Sequence, residues 1–465
     1  MLNPPLSHLS DDLLASIVEE VAKLQFLDED LKNLSLADRA FTQSCQKYIH
    51  RMLRLGNRTS TPEQLTRVKT SLDEKPSFAN RVRVVVFGIP WEEETVLFKD
   101  PNFTSILQLL AKSPIPPNEL RFTGLASFQS TIEDPMLVTR QLAESFFSQT
   151  LTVLHLREIA NIPLPLFLIC PRLREVILDI VGVTDKSYDK YPDNQCSGRE
   201  APLLEVFEHR NSHSLVEQMI TPPPRFKTPV ILWSNLRVLT VAPDDAEGMT
   251  HLQHILDAAC NTLKELYLTN MYVGDCRCDV FDKMKQNLTN FLKPAKQLPF
   301  DGLVNLSKLP NLHTFSLAAS VNCKKPRKAP RNAPPFDVLR DISIVLSTIP
   351  ESNKITNLWF DFSMVGRRGR RPFLGCLNQD WVGMFNEVIR IGGGKPLELE
   401  LQMTASMGFL EDDHPEQDEV YTFVMEKAAS LSDYPNICTH FWDPTYWKRK
   451  IGPFPRGQVR RRCRR

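Results

Sequence analysis

Leu151-Thr-Val-Leu-His-Leu156 is followed, 22 residues on, by Leu173-Arg-Glu-Val-Ile-Leu178. Both read leucine, two variable residues, an apolar residue, one variable residue, leucine. The spacing returns in Leu236-Arg-Val-Leu-Thr-Val241, Leu263-Lys-Glu-Leu-Tyr-Leu268, Leu312-His-Thr-Phe-Ser-Leu317 and Ile355-Thr-Asn-Leu-Trp-Phe360, with a close variant in Leu397-Glu-Leu-Glu-Leu401. One such segment describes a buried strand in any α/β protein. Seven, several introduced by Pro-x-Leu or Asn-x-Leu, describe a repeat. The starts lie 22, 63, 27, 49, 43 and 42 residues apart. The short gaps match one leucine-rich repeat of roughly 20–29 residues, and the long ones are near two or carry insertions. A strand-plus-helix unit cannot bury its apolar face alone, so stacked neighbours supply the core and align the strands on one surface. Helices are expected between strands, for example over Met249–Ala259 and Trp381–Ile391.

The N-terminus reads differently. Ser10 can cap a helix whose positive end is favoured by Asp11 and Asp12. Leu13, Leu14, Ile17, Val18, Val21 and Leu24 then share one helical face. A second helix from about Asp30 is expected to bury Leu31, Leu34, Leu36 and Phe41. A third, from about Gln43, presents Tyr48, Ile49, Met52, Leu53 and Leu55 and ends at Gly56. Thr61-Pro62-Glu63-Gln64 is a capping box opening another helix, and a first strand is expected over Val82–Phe87.

The expected fold class is therefore α/β. A helical module over 1–56 precedes an irregular leucine-rich-repeat-like solenoid, a horseshoe, over 57–445, and a basic tail occupies 446–465. Surface insertions are expected near 184–230, where Thr221-Pro-Pro-Pro-Arg-Phe-Lys-Thr-Pro229 lies, and near 322–336. An acidic loop at Glu411–Glu419 precedes a last helix, Val420–Leu431, expected to cap the array.

With 56 basic and 55 acidic residues, the net charge of +1 gives no global argument for a nucleic-acid or membrane partner. Charge is nevertheless uneven: residues 1–40 carry eight acidic and three basic side chains, and 445–465 nine basic and no acidic ones. Ten scattered cysteines without a CxxC pair suit reduced thiols in the cytoplasm or nucleus better than a disulfide framework. No apolar run reaches bilayer length, and the acidic start is unlike a secretory signal.

No motif implies catalysis, a cofactor or a metal. GxSxG, HExxH and the Walker A pattern are missing. Gly392-Gly-Gly-Lys-Pro396 follows a helix and precedes a strand, the reverse of a phosphate loop, and reads as a turn. His209/His213 and His251/His254 have helix-face spacing and Cys276/Cys278 lie nearby in sequence, but the set matches no usual zinc pattern. Arg367–Arg371 and Arg460–Arg465 could serve as a nuclear address. Neither is interleaved with aromatic residues, so specific nucleic-acid binding is not expected.

Leu9-Ser-Asp-Asp-Leu-Leu-Ala-Ser-Ile17, Leu31-Lys-Asn-Leu-Ser-Leu-Ala-Asp-Arg-Ala-Phe41 and Tyr48-Ile-His50 together resemble an F-box. Ser10 stands where that family usually has proline, Asp12 where it has glutamate, and Phe41 where tryptophan is common. About fifty residues are covered. An F-box followed by degenerate leucine-rich repeats resembles the many F-box proteins of mushroom-forming fungi. The resemblance implies a non-catalytic substrate receptor of an SCF-type ubiquitin ligase. Leu6, Leu9, Leu13, Leu14, Ile17, Leu34 and Leu36 would contact a Skp-family adaptor, and through it a cullin scaffold. The repeats would choose a target protein, which the sequence does not identify. Ile17 and Leu34 could equally hold the three helices together. Competing readings are an F-box and repeat scaffold without a ubiquitination role, and an enzyme within the α/β body, for which no residue constellation argues.

Overall fold

The computed structural model describes residues 10–23, 28–56, 62–89, 100–124, 130–131, 137–183, 200–222, 229–243, 246–270, 303–322, 337–365, 379–405 and 423–442. The chain is α/β, with parallel strands joined by helices, and it divides into two compact units near Pro202.

The first unit opens with helices α1 (Asp11–Lys23), α2 (Asp28–Ala37) and α3 (Arg39–Ile49). Strand β1 (Met52–Leu55) follows directly, where the sequence suggested a continuation of the third helix. Its four residues pair in parallel with β2 (Val84–Ile89) through Leu53 to Val85 and Leu55 to Phe87, so sheet pairing overrides helical periodicity there. Helices α4 (Pro62–Glu74) and α5 (Pro101–Ala111) lie either side of β2 in sequence. Strand β3 (Glu119–Gly124) pairs with β5 (Val153–Ala160), and β5 with β6 (Glu175–Val181). The two-residue β4 (Ser130–Thr131) also joins β5, a π-helix spans Leu137–Phe147, and α6 (Pro165–Ile169) is wholly buried.

The second unit holds β7 (Val206–Arg210), β8 (Val238–Ala242), β9 (Glu265–Asn270), β10 (Thr314–Asn322), β11 (Asn357–Val365), β12 (Leu397–Ala405) and β13 (Ile437–Trp442), each paired in parallel with the next. Helices α7 (His213–Ile220), α8 (Ala246–Ala258), α9 (Val338–Ser347) and α10 (Trp381–Gly392) connect them. Two expectations change here. Within 184–230, read as a surface insertion, residues 206–220 form β7 and α7. The helix expected over Val420–Leu431 appears as a helical turn at 423–427 and a 3-10 turn over Ala428–Asp433, and β13 follows it as one more strand.

The register shows why the leucines recur. Leu236/Leu239/Val241, Leu263/Leu266/Leu268, Leu312/Phe315/Leu317 and Ile355/Leu358/Phe360 are buried at equivalent positions on successive strands. Leu151/Leu154/Leu156 and Leu173/Val176/Leu178 do the same in the first unit. The residue after the first leucine forms a second regular feature. The Arg237 carbonyl accepts from the N–H groups of both Lys264 and Glu265 at 2.8 and 3.0 Å, the Lys264 carbonyl from His313 and Thr314, and the His313 carbonyl from Thr356 and Asn357. These paired bonds satisfy backbone groups at the mouth of each strand and hold every unit in register with its neighbour. A third regularity is conformational: Glu158, Ile180 and Asn211, each seven residues after the first leucine of its unit, have φ of 55°, 57° and 49°.

The core of the second unit contains a chain of aromatic rings. Phe360 stacks on Phe362 at 6.0 Å, Phe362 meets Trp381 edge-on at 5.7 Å, and Trp381 lies 5.8 Å from Phe385. Trp381, Met384, Phe385, Val388 and Ile391 form the buried stripe of α10 at the spacing a helix requires. Two N-caps are joined: the Asp337 carboxylate accepts from Arg340 N (3.0 Å) at the start of α9 and from Asp380 N (3.1 Å), while Asp380 caps α10 through Gly383 N (2.8 Å). At the opposite ends, Arg390 donates to the carbonyls of Leu346, in the last turn of α9, and of Ile349, just beyond it, both at 2.7 Å, so that a cation closes the end of that helix. No helix among the described residues is long and apolar enough to cross a membrane.

Candidate functional site

The three N-terminal helices are held by local bonds. The Ser10 hydroxyl accepts from Leu13 N at 3.3 Å and its carbonyl from Leu14 N at 3.0 Å, opening α1. Asp38 caps α3 by accepting from Ala40 N at 2.9 Å, and the Thr42 hydroxyl donates to the Ser35 carbonyl at 3.1 Å, tying α3 to α2. Leu14, Val18, Leu31, Phe41 and Cys45 form the core of this module, with Ile17, Val21, Leu34, Ala40, Tyr48 and Ile49 packed on its flanks. Burial pushes the Cys45 thiol up, as expected for a cysteine that serves as a small core residue.

This packing sorts the leucines and isoleucine assigned to adaptor contact. Leu6 and Leu9 lie outside the described residues. Leu14 is in the core, and Ile17 and Leu34 are half-buried against it. Leu13 and Leu36 face outward, 48% and 84% exposed. The sequence had placed Leu36 in a buried stripe. Five residues beyond Leu31, it stands about 140° round the helix from it, and that offset was the available signal.

The histidine pairs do not lie as their spacing suggested. His209 is on β7, at the position where the neighbouring strand carries Val241, and His213 opens α7. His251 points inward from α8 and is buried, whereas His254 is exposed. His209 and His213 have ring centroids 5.4 Å apart, and burial, then His213 and His251, drive the His209 imidazole down to about 3. Among the described residues no group of three or more His, Cys, Asp or Glu side chains is arranged to hold a metal ion. Cys276 and Cys278, the clusters at 367–371 and 460–465 and the acidic run at 411–419 lie outside the described residues.

Gly392–Pro396 is a turn. Gly393 (φ 48°) and Gly394 (φ 81°) end α10 in the left-handed region, and Lys395 N donates to the Gly392 carbonyl at 2.8 Å. The Lys395 ammonium reaches back to the Asn353 carbonyl at 2.6 Å, an internal role for the one cation of that loop. An apolar cleft beside β1 is lined by His50, Met52, Leu53, Val68, Leu72 and Phe78. His50 stacks on Phe78 at 4.8 Å, with its imidazole lowered by burial and by Arg81.

The other candidate surface is the strand face opposite the buried leucines. In the second unit, register places Glu265, Thr314, Asn357, Glu398 and Cys438 in one row. Tyr267, Ser316, Trp359, Glu400 and His440 form the next, and Thr269, Ala318, Asp361 and Gln402 the third. The sequence signal was the strict alternation of Leu397-Glu-Leu-Glu-Leu401, which puts Glu398 and Glu400 opposite the core. No protein-family model and no curated protein matches the chain.

Proposed function

We propose that the chain is a substrate receptor of an SCF-type ubiquitin ligase, in which the N-terminal helices dock on a Skp-family adaptor and a horseshoe of leucine-rich repeats binds the target. The observation supporting this reading is the pair of leucines left outside a core that is already filled. Leu14, Val18, Leu31, Phe41 and Cys45 close the module without Leu13 or Leu36. Fully burying a leucine stabilises by roughly 1.5–3 kcal/mol, so two leucines at a partner interface supply a useful share of affinity. In this role the chain carries out no bond-making itself. It raises the effective concentration of the target's lysines near a charged ubiquitin-conjugating enzyme.

The test is co-purification of the full chain with a recombinant Skp-family adaptor. Leu13→Asp with Leu36→Asp is expected to abolish capture while leaving the circular-dichroism melt unchanged, because neither side chain belongs to the core. Capture undiminished in the folded double variant refutes the assignment. Ile17→Asp is a poorer test, since Ile17 also packs on the core and its loss would confound docking with folding. Ubiquitin transfer to a bound target in a reconstituted ligase separates a receptor from a scaffold.

A further inference from the structure

We infer that the strand face of β9–β12 binds an arginine- or lysine-rich extended segment of a target protein, seating one cationic side chain between Tyr267 and Trp359. Three independent features of the face converge on that chemistry. The first is its charge. The outward positions of β7–β13 carry the carboxylates Glu208, Glu265, Asp361, Glu398 and Glu400 against the single guanidinium of Arg210. Among the described residues no ion pair engages Glu398 or Glu400. On the corresponding face of the first unit, by contrast, both guanidiniums have a carboxylate beside them, Arg121 on Glu119 at 2.5 Å and Arg157 near Asp179 at 3.6 Å.

The second feature is a pair of aromatic rings separated by a small residue. Tyr267, Ser316 and Trp359 are direct neighbours across β9, β10 and β11. Strands lie about 4.8 Å apart, so the two aromatic positions are separated by about 10 Å. A side chain standing over Ser316 would lie on the strand between the two aromatic positions, about 5 Å from each neighbouring strand, where a cation can meet either ring. Ala318, next along β10, keeps the floor low on one side. The third feature is anchoring: the Tyr267 hydroxyl donates to the Glu265 carboxylate at 2.8 Å, fixing ring and charge together. The Trp359 indole nitrogen is buried without a hydrogen-bond partner, so that ring is held by packing. An acidic partner would be repelled by Glu398 and Glu400, and a purely apolar one would leave those two carboxylates desolvated and unpaired.

This deepens the receptor reading by giving the target a chemistry, and adaptor capture is measured separately, so either can fail alone. The test is fluorescence anisotropy of the full chain with a labelled twelve-residue peptide alternating arginine or lysine with serine, and with its glutamate counterpart. Saturable binding of the basic peptide alone is expected, weakened at least tenfold by Glu398→Gln with Glu400→Gln, which are isosteric and outward-facing. Trp359→Leu should weaken it similarly, with the melt monitored because that ring is partly packed. Absence of binding overturns the inference. So does binding that survives both variants, or that is lost only when the carboxylates of Glu411–Glu419 are neutralised.

Discussion

His209 occupies a position that the repeat fills with an aliphatic side chain, and replacing it with leucine should remove an acid sensitivity from the second unit. The imidazole is 1% exposed, 5.7 Å from the Phe207 ring and 5.4 Å from that of His213, and neither ring nitrogen has a hydrogen-bond partner. Burial and the two neighbouring histidines lower it to about 3, against about 6.5 in the unfolded chain. The unfolded state therefore takes up the proton first. Stability is complete above about pH 6.5 and falls as pH drops through the window down to about 3. At pH 5 the loss from this one group is about 1.5 units × 1.36, or about 2 kcal/mol. At neutral pH, His209→Leu should add about 1–3 kcal/mol by replacing unpaired ring nitrogens with a side chain the site already accommodates. The assay is hydrogen exchange of β7 and α7 amides in wild type and variant at pH 7.5 and 5.0, corrected for intrinsic rates. A local measurement is preferable because a long array need not unfold in one step. All other groups titrate in both proteins, so the difference isolates His209. The reasoning fails if the two proteins lose protection equally on acidification, or if His209→Leu is less stable at pH 7.5.

Other substitutions probe the frame around the candidate surfaces. A Cβ on Gly383 would collide with the Asp380 carboxylate, clashing with Oδ2 and lying 3.0 Å from the capping Oδ1, so Gly383→Ala should displace that cap and cost about 1–2 kcal/mol in urea denaturation; an unchanged midpoint would show that the cap relocates freely. Arg390→Met removes two bonds, to the Leu346 carbonyl in the last turn of α9 and the Ile349 carbonyl just beyond it, and is expected to cost about 1–3 kcal/mol, read as faster proteolysis between residues 338 and 392. Ile180, a β-branched residue at φ 57°, is strained, so Ile180→Gly should gain about 1 kcal/mol in thermal melts. A loss there would mean that packing of its side chain outweighs the backbone relief. The double change at Leu13 and Leu36 tests the docking surface without touching the core.

Much of the fold was legible because the repeat is local. Leucine spacing reports which side chains enter the core, and Leu151, Leu236 and Ile355 are buried where the pattern put them. Variants of the pattern were harder to see. In β7 the unit reads Leu204-Glu-Val-Phe-Glu-His209, and the polar last residue concealed a strand inside an apparent insertion. In β1 the apolar spacing of Met52, Leu53 and Leu55 suits a helix as well as a strand, and only pairing with β2 decides between them.

The candidate surfaces divide along the same line. The sequence by itself determined the α/β class, the amphipathic N-terminal helices and the alternation that turns Glu398 and Glu400 away from the core, since each depends on periodicity along one element. Only tertiary packing decided that Leu14 lies inside while Leu13 and Leu36 stay outside, because that depends on which core positions the other helices fill. It also decided that Tyr267 and Trp359, 92 residues apart in sequence, stand two strands apart on one acidic face. Strand register is a property of the stacked chain, and no single unit contains it.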